Sequence, residues 1–289
     1  MTLKPWIEAM RLRTLPVSAA GVLTAIGYNV GDGTFKAAPA ALCLIFALLA
    51  QVASNFANEY YDYRDGLDRA GRDGPRRGVT EGDITPGAML RATYATLGMA
   101  CCVGLSLLWW GGWWLLIAGI VIAIGAMAYS AGPYPLSRHG LGEVAVIIFF
   151  GVIPVNLTYY VQSGYFAWPV GIASAAIGLM GANVLLVNNY RDADDDASVG
   201  KRTLAVIMGR GFAYSLYLIN GVLGMLLLLD AMGVHRWIAW VYLAVHLLLC
   251  MMLKRRTGRA INPLLGMTAV AMLAVALAWL VSEICSKGV

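Results

Sequence analysis

Charge is scarce in this chain. Of 289 residues, 13% are Asp, Glu, Lys or Arg, while 60% are apolar. That balance excludes an ordinary soluble domain and describes an integral membrane protein. Histidine is almost missing: His139, His235 and His246 lie far apart in sequence, so no zinc or haem constellation is available. The five cysteines (Cys43, Cys101, Cys102, Cys250 and Cys285) form no CxxC pair and fall in or near apolar runs. They read as small interior residues, neither disulfides nor metal ligands. The basic loops lack aromatic interleaving or a binding module, so no nucleic-acid partner is expected.

What the chain has is apolar runs, near 14–30, 38–58, 91–110, 113–131, 143–162, 166–187, 211–231, 236–252 and 264–284. Each is long enough, or nearly so, to cross a hydrocarbon core of about 30 Å at about 1.5 Å per residue. The expected fold is all-α: a polytopic membrane bundle of about nine transmembrane helices, forming one membrane-embedded domain over 1–289. The N-terminal tail and alternate loops carry eighteen of the twenty-one Lys and Arg residues; Lys36, Arg236 and Lys287 are the remainder. This bias places the N-terminus in the cytoplasm and the C-terminus outside. Residues 1–13 mix Trp6, Ile7, Met10 and Leu12 with charged residues and predict a short interfacial helix. A cleavable signal peptide is the alternative, but its removal would invert an otherwise consistent topology.

The polar residues gather in two clusters. The first, Asn55-Phe-Ala-Asn58-Glu59-Tyr-Tyr-Asp62-Tyr-Arg64-Asp65-Gly-Leu-Asp68, closes the second apolar run. On a helix, Asn55, Asn58, Asp62 and Asp65 share one face. The second, Asn188-Asn189-Tyr-Arg191-Asp192-Ala-Asp194-Asp195-Asp196, closes the sixth, with Asn189, Asp192 and Asp196 on one face and Asp194 and Asp195 turned to solvent. Asn58-x3-Asp62 and Asn188-x3-Asp192 repeat one pattern four spans apart, which suggests a pseudo-repeat of helix quartets bringing both clusters to one cavity. Converging oxygen ligands suit a hard divalent cation, usually Mg2+ carried by phosphate.

Basic residues accompany the acids. The cytoplasmic loop 62–91 holds Arg76-Arg77, suited to oxygens of a metal-bridged diphosphate, and Lys201 follows the second cluster in the segment 188–210. Topology setting is the plainer role for any one of these arginines. The loop from Tyr129 to Glu143 contains two prolines and three glycines and is shaped rather than helical. Glu143 then opens the fifth span, where helix capping is its plainer role and substrate contact the other. Tyr129 reads either as an interfacial belt residue or as part of an aromatic pocket. Few ionisable residues lie mid-span, which argues against an ion pump or cation carrier. A charged head docked at the interface with an apolar tail among the helices fits better, and a polyprenyl diphosphate has that shape.

Asn58-Glu59-x-x-Asp62 with Gly66-x-Asp68 and Gly74-Pro-x-Arg77-Gly78, and then Asn188-Asn189-Tyr-Arg191-Asp192-x3-Asp196 with Gly200-Lys201-x-Thr203-Leu204, resemble the paired signatures of the UbiA-type intramembrane aromatic prenyltransferases. Trp6-Ile-Glu-Ala-Met-Arg-Leu-Arg-Thr-Leu-Pro16 and Gly140-Leu-Gly-Glu143 are similar to the branch of menaquinone biosynthesis. Two departures stand out: Glu59 replaces the usual Asp, and Gly66 stands where the broader family has an acid. The resemblance implies Mg2+-dependent transfer of a polyprenyl group from polyprenyl diphosphate to 1,4-dihydroxy-2-naphthoate, releasing carbon dioxide and pyrophosphate and giving demethylmenaquinone, in a bacterial inner membrane. It implies metal binding by Asn58, Glu59, Asp62, Asp65, Asp68, Asn189, Asp192 and Asp196, with Asp62, Asp192 and Asp196 catalytic. Arg76, Arg77, Tyr129, Glu143 and Lys201 would meet substrate. A sister enzyme acting on 4-hydroxybenzoate or homogentisate stays open, as does a cation carrier.

Overall fold

The computed structural model describes residues 3–69, 71 and 73–288. The first two residues of the expected 1–13 helix, and residues 70 and 72 of the 62–91 loop, lie outside the described residues. The described residues are helical with no strand. In order they form α1 (Lys4–Ala9), α2 (Leu15–Gly31), α3 (Ala37–Arg64), α4 (Pro86–Gly111), α5 (Leu115–Ala128), α6 (Gly142–Val146), α7 (Ile153–Ser163), α8 (Trp168–Ser198), α9 (Leu204–Ile207), α10 (Gly209–Ala231), α11 (Trp237–Arg255) and α12 (Asn262–Lys287). A π-helical stretch, Ile147–Val152, joins α6 to α7 in one rod.

Seven of these rods are long and apolar enough to cross a membrane, which makes the chain an integral membrane protein. Helices also occupy the other two expected stretches, but α2 has 17 residues and α5 has 14. They are about 25 and 21 Å long, short of a full hydrocarbon core of about 30 Å. The expected interfacial helix is shorter too: α1 covers six residues, and Arg11 breaks it with a positive φ of 52°. Among the described residues it is the one non-glycine with such a φ.

The central rod is α8, whose apolar stretch is mostly buried. One core joins α2, α7, α8, α10 and α12 through residues such as Val17, Tyr159, Ile177, Leu228 and Met272. A second core around Leu186, Tyr217, Leu253 and Leu264 ties α8, α10, α11 and α12. Cys43 and Cys250 are buried as expected, but Cys101, Cys102 and Cys285 are exposed. That corrects their assignment to the interior: in a bundle surrounded by lipid, an apolar residue gains little by facing inward, so hydrophobicity does not decide the face.

Two features open the bundle beside α8. Pro154 has no N–H to donate, and the helix widens to a π-turn immediately before it. Within that turn Gly151 meets Gly178 of α8 backbone to backbone; a Cβ on Gly178 would lie 2.8 Å from the Ile147 carbonyl oxygen. Since backbone cannot yield as a side chain can, Gly178→Val is expected to destabilise the bundle by about 1–3 kcal/mol or more. Thermal unfolding of the detergent-solubilised protein checks this, and an unchanged midpoint would contradict the close approach.

Candidate active site at the ends of α3 and α8

The acidic clusters occupy the last turns of the two longest helices, 28 and 31 residues. Contacts between loops gather these ends, with the starts of α6 and α12, at one end of the bundle. Asp62 on α3 is the meeting point. Its Oδ2 accepts from Lys201 Nζ at 2.9 Å and from Asn58 Nδ2 at 3.3 Å, and its Oδ1 accepts from Arg138 Nη2 at 3.3 Å. The same Lys201 ammonium lies 3.9 Å from Asp196 Oδ1. One cation therefore joins acids from both clusters.

The remaining inner carboxylates are also countered. Asp192 takes a two-pronged bond from Arg191 at 2.6 and 2.7 Å, and Arg191 continues to Asn188 and to Asn262 of α12. Both Asp62 and Asp192 are only 1% exposed. A carboxylate so buried is tolerable only with close counter-charge. Arg77 spans Asp68 (3.4 Å) and Asn58 Oδ1 (3.4 Å), and Arg11 also donates to Asn58 Oδ1.

These residues cap a cavity of about 800 Å3. Its polar end holds Asn58, Asp62, Arg76, Arg77, Tyr129, Asn189, Asp192, Asp196 and Lys201. Its walls then turn apolar, through Phe46, Leu108, Phe149 and Leu157, and reach Cys43, fifteen residues from Asn58 along α3. At the helical rise that is about 22 Å of depth. A charged head and a long apolar tail would each find matching walls.

Four expected site residues sit around this cavity without lining it. Glu59 Oε1 accepts from the Val79 backbone N–H at 3.1 Å and so anchors the following loop. Asp65 pairs with Arg64 (2.7 Å) and Arg138 (2.6 Å). Those bonds, Arg64 first, hold its pKa below the usual carboxylate range. Asp68 lies behind Arg77, while Glu143, in the first turn of α6 as expected, also accepts at Oε1 from Asn189 Nδ2 at 2.8 Å and so links two spans. Asp194 and Asp195 do face outward, bound to Arg210 and Arg69. Burial, and then the nearby Glu143 charge, push the Tyr129 hydroxyl pKa up, so that tyrosine stays neutral.

Sequence reasoning passed over Arg11, Arg138, Arg191 and Ser130, which donates nothing to topology but receives Asn58 Nδ2 at 3.1 Å. Arg191 stood inside the second cluster and Arg138 inside the shaped loop, so position was the available signal. Their charges were absorbed by the topology argument.

The candidate metal-ligating groups at the polar end are hard oxygens, with no sulfur or imidazole among the residues named there. Among the described residues no three His, Cys, Asp or Glu side chains converge as a closed metal cage. Instead each half-set, Asn58 with Asp62 and Asn189 with Asp192 and Asp196, lines the cavity, and the Lys201 ammonium bridges the two sets. This fits Mg2+, which keeps water and phosphate oxygens in part of its coordination shell.

A profile of the UbiA prenyltransferase family matches residues 18–262. The chain is 35% identical over 246 residues to 1,4-dihydroxy-2-naphthoate octaprenyltransferase of Escherichia coli (strain K12), covering 82% of this chain and 80% of that one. It is 34% identical over 281 residues to the protein of that name in Mycobacterium tuberculosis, covering 94% of each. Among solved structures, a UbiA homolog from Archaeoglobus fulgidus bound to GPP and Mg2+ superposes with a TM-score of 0.69 at 15% identity, covering 96% of this chain and 99% of that one.

Arg191 holds Asp192 with two short charge-assisted bonds inside the protein, so Arg191→Met is expected to destabilise the protein by about 3–5 kcal/mol. Adding Asp192→Leu should recover part of that loss. A double variant less stable than Arg191→Met, measured by thermal unfolding, would count against the pairing.

Proposed function

The chain belongs to the UbiA prenyltransferase family, and on that premise we propose that it transfers a polyprenyl group from polyprenyl diphosphate to 1,4-dihydroxy-2-naphthoate. Mg2+ is the cofactor, and pyrophosphate and carbon dioxide are released. The observation that carries this reading is the Lys201 bridge between Asp62 and Asp196 at the polar end of a deep apolar cavity. The acceptor is supported by the names of the relatives, which span most of the chain.

Asn58 and Asp62 from α3, with Asn189, Asp192 and Asp196 from α8, would hold Mg2+. Bound there, the metal would supply positive charge that offsets the diphosphate. Lys201, Arg76 and Arg77 grip the oxygens that receive the departing electron pair, and Arg138 can turn from Asp62 to join them. The apolar groove keeps water from the prenyl cation, and the neutral Tyr129 ring offers it a π face. The acceptor carbon bearing the carboxylate attacks with a ring electron pair. Carbon dioxide then leaves, and the pair from the broken C–C bond restores the ring. The product is the prenylated 1,4-diol, the reduced form of demethylmenaquinone, so no oxidant is needed. Glu59, Asp65, Asp68 and Glu143 position this set: Glu59 through Val79, Asp65 through Arg138, Asp68 through Arg77 and Glu143 through Asn189.

The reading places the whole chain, 1–289, as one prenyltransferase domain in a bacterial inner membrane, with nine spans of which seven are full-length rods and α2 and α5 the shorter two, and with its acidic end in the cytoplasm. The charge bias supports this orientation, and so does the opposite end, where Trp109, Trp110, Trp113, Trp114, Trp168, Trp237 and Trp240 are all exposed at helix ends. Such tryptophans anchor a bundle at the bilayer interface.

The protein incubated with Mg2+, polyprenyl diphosphate and the naphthoate is expected to yield, by mass spectrometry, a product gaining one prenyl group and losing carbon dioxide, abolished by EDTA. Turnover with 4-hydroxybenzoate or homogentisate alone would overturn the acceptor. Cation flux in proteoliposomes without transfer would overturn the enzyme. Asp62→Asn and Asp192→Asn, assayed as protein shown to be folded, should each lower kcat by about 10²-fold or more. Full turnover in either would remove that residue from the site.

A further inference from the structure

A second pouch, of about 310 Å3, adjoins the main cavity on the loop side. Among the described residues, four arginines, Arg69, Arg76, Arg77 and Arg259, line it with Asp73 and Glu81, and Asp195 and Asp83 pair with Arg69 and Arg76 from its edge. Arg76, Arg77 and Asn262 line both spaces. We propose that this pouch is a second anion site that takes a diphosphate group and receives pyrophosphate on its way out after transfer. The proposal rests on the prenyltransferase reading for the origin of that pyrophosphate.

Pyrophosphate has lost the tail that brought it in. A small, multiply charged anion cannot retreat along an apolar groove, because nothing there replaces its hydration. It must leave toward the loops, and the shared wall of Arg76 and Arg77 leads into the pouch. The pouch can change partners easily. Arg69, Arg76 and Arg259 are 52%, 47% and 69% exposed, and their ion pairs with Asp195, Asp83 and Asp73 are exposed as well. Exposed pairs of this kind are weak. A phosphate oxygen pair offers the guanidinium fork a better-matched, more highly charged acceptor. Arg77, buried on Asp68 and Asn58, stays with the main site.

The test is calorimetric titration of inorganic pyrophosphate, with Mg2+, into the full chain in nanodiscs of neutral lipid. The expected result is about two equivalents per chain, falling to about one in an Arg69→Ala/Arg259→Ala variant, as loss of two phosphate-binding forks requires. Single-turnover prenyl transfer should be unchanged in that variant, because neither residue touches the main cavity, and Arg69→Lys/Arg259→Lys should retain the second equivalent. One equivalent in the wild type overturns the proposal, and does so even if the alanine variant fails to fold. Two equivalents persisting in the folded alanine variant also overturn it. Displacement of the second equivalent by phosphatidylglycerol added to the disc would make the pouch a lipid-headgroup site and overturn the exit role. A chain that binds two equivalents but transfers no prenyl group sinks the transferase reading alone; one that transfers but binds a single equivalent sinks the pouch alone.

Discussion

A carboxylate buried near a membrane needs a counter-charge within reach, and Asp62 finds three partners drawn from three parts of the chain: Asn58 on its own helix, Arg138 from the shaped loop and Lys201 from beyond α8. No single segment could supply them. The requirement ties the end of α3 to the end of α8, and Arg191 extends the tie to α12 through Asn262. Because two buried acids with misplaced partners would cost far more than exposed ones, the loops at this end have little freedom over where they pass. The arginines and lysine that neutralise the acids in the structure are also the groups that a diphosphate would engage, so one constraint builds the bundle end and prepares its chemistry.

The opposite end of the cavity obeys a different solvent. Lipid and prenyl chain are equally apolar, so a groove among α3, α4, α5 and α7 gains nothing by closing. The glycine contact between Gly151 and Gly178 and the widened turn before Pro154 set the rod beside α8, with Phe149 and Phe150 on the cavity wall. On the proposed reading, a polar head and an apolar tail are thus handled by separate physics at two ends of one space.

Much of this was legible from residues alone. The long apolar runs located every rod, and the repeated Asn-x3-Asp pattern located the two clusters that the structure brings to one cavity, because helical period and hydrophobic length are local properties. Partner choice was not legible. Glu59 carries the charge expected of a ligand, yet its carboxylate holds the Val79 backbone, and Glu143, besides standing in the first turn of α6, holds Asn189. Arg138 and Arg191 were hidden for the reverse reason: a basic residue at a membrane face already has an explanation in topology. The brevity of α2 and α5 was equally out of reach, since helix ends depend on caps and turns that apolar runs do not mark.

The central claim is that α3 and α8 together form one diphosphate–metal site. Counting the divalent ions retained by the protein with a non-hydrolysable prenyl diphosphate analogue, using Mn2+ and electron paramagnetic resonance, tests it most directly. The account predicts about two ions per chain with the analogue present, coupled to each other through the bridging diphosphate, and a drop when either Asp62 or Asp192 becomes Asn. Ions bound equally well in the double Asp62→Asn/Asp192→Asn variant, or none in the presence of the analogue, would contradict it.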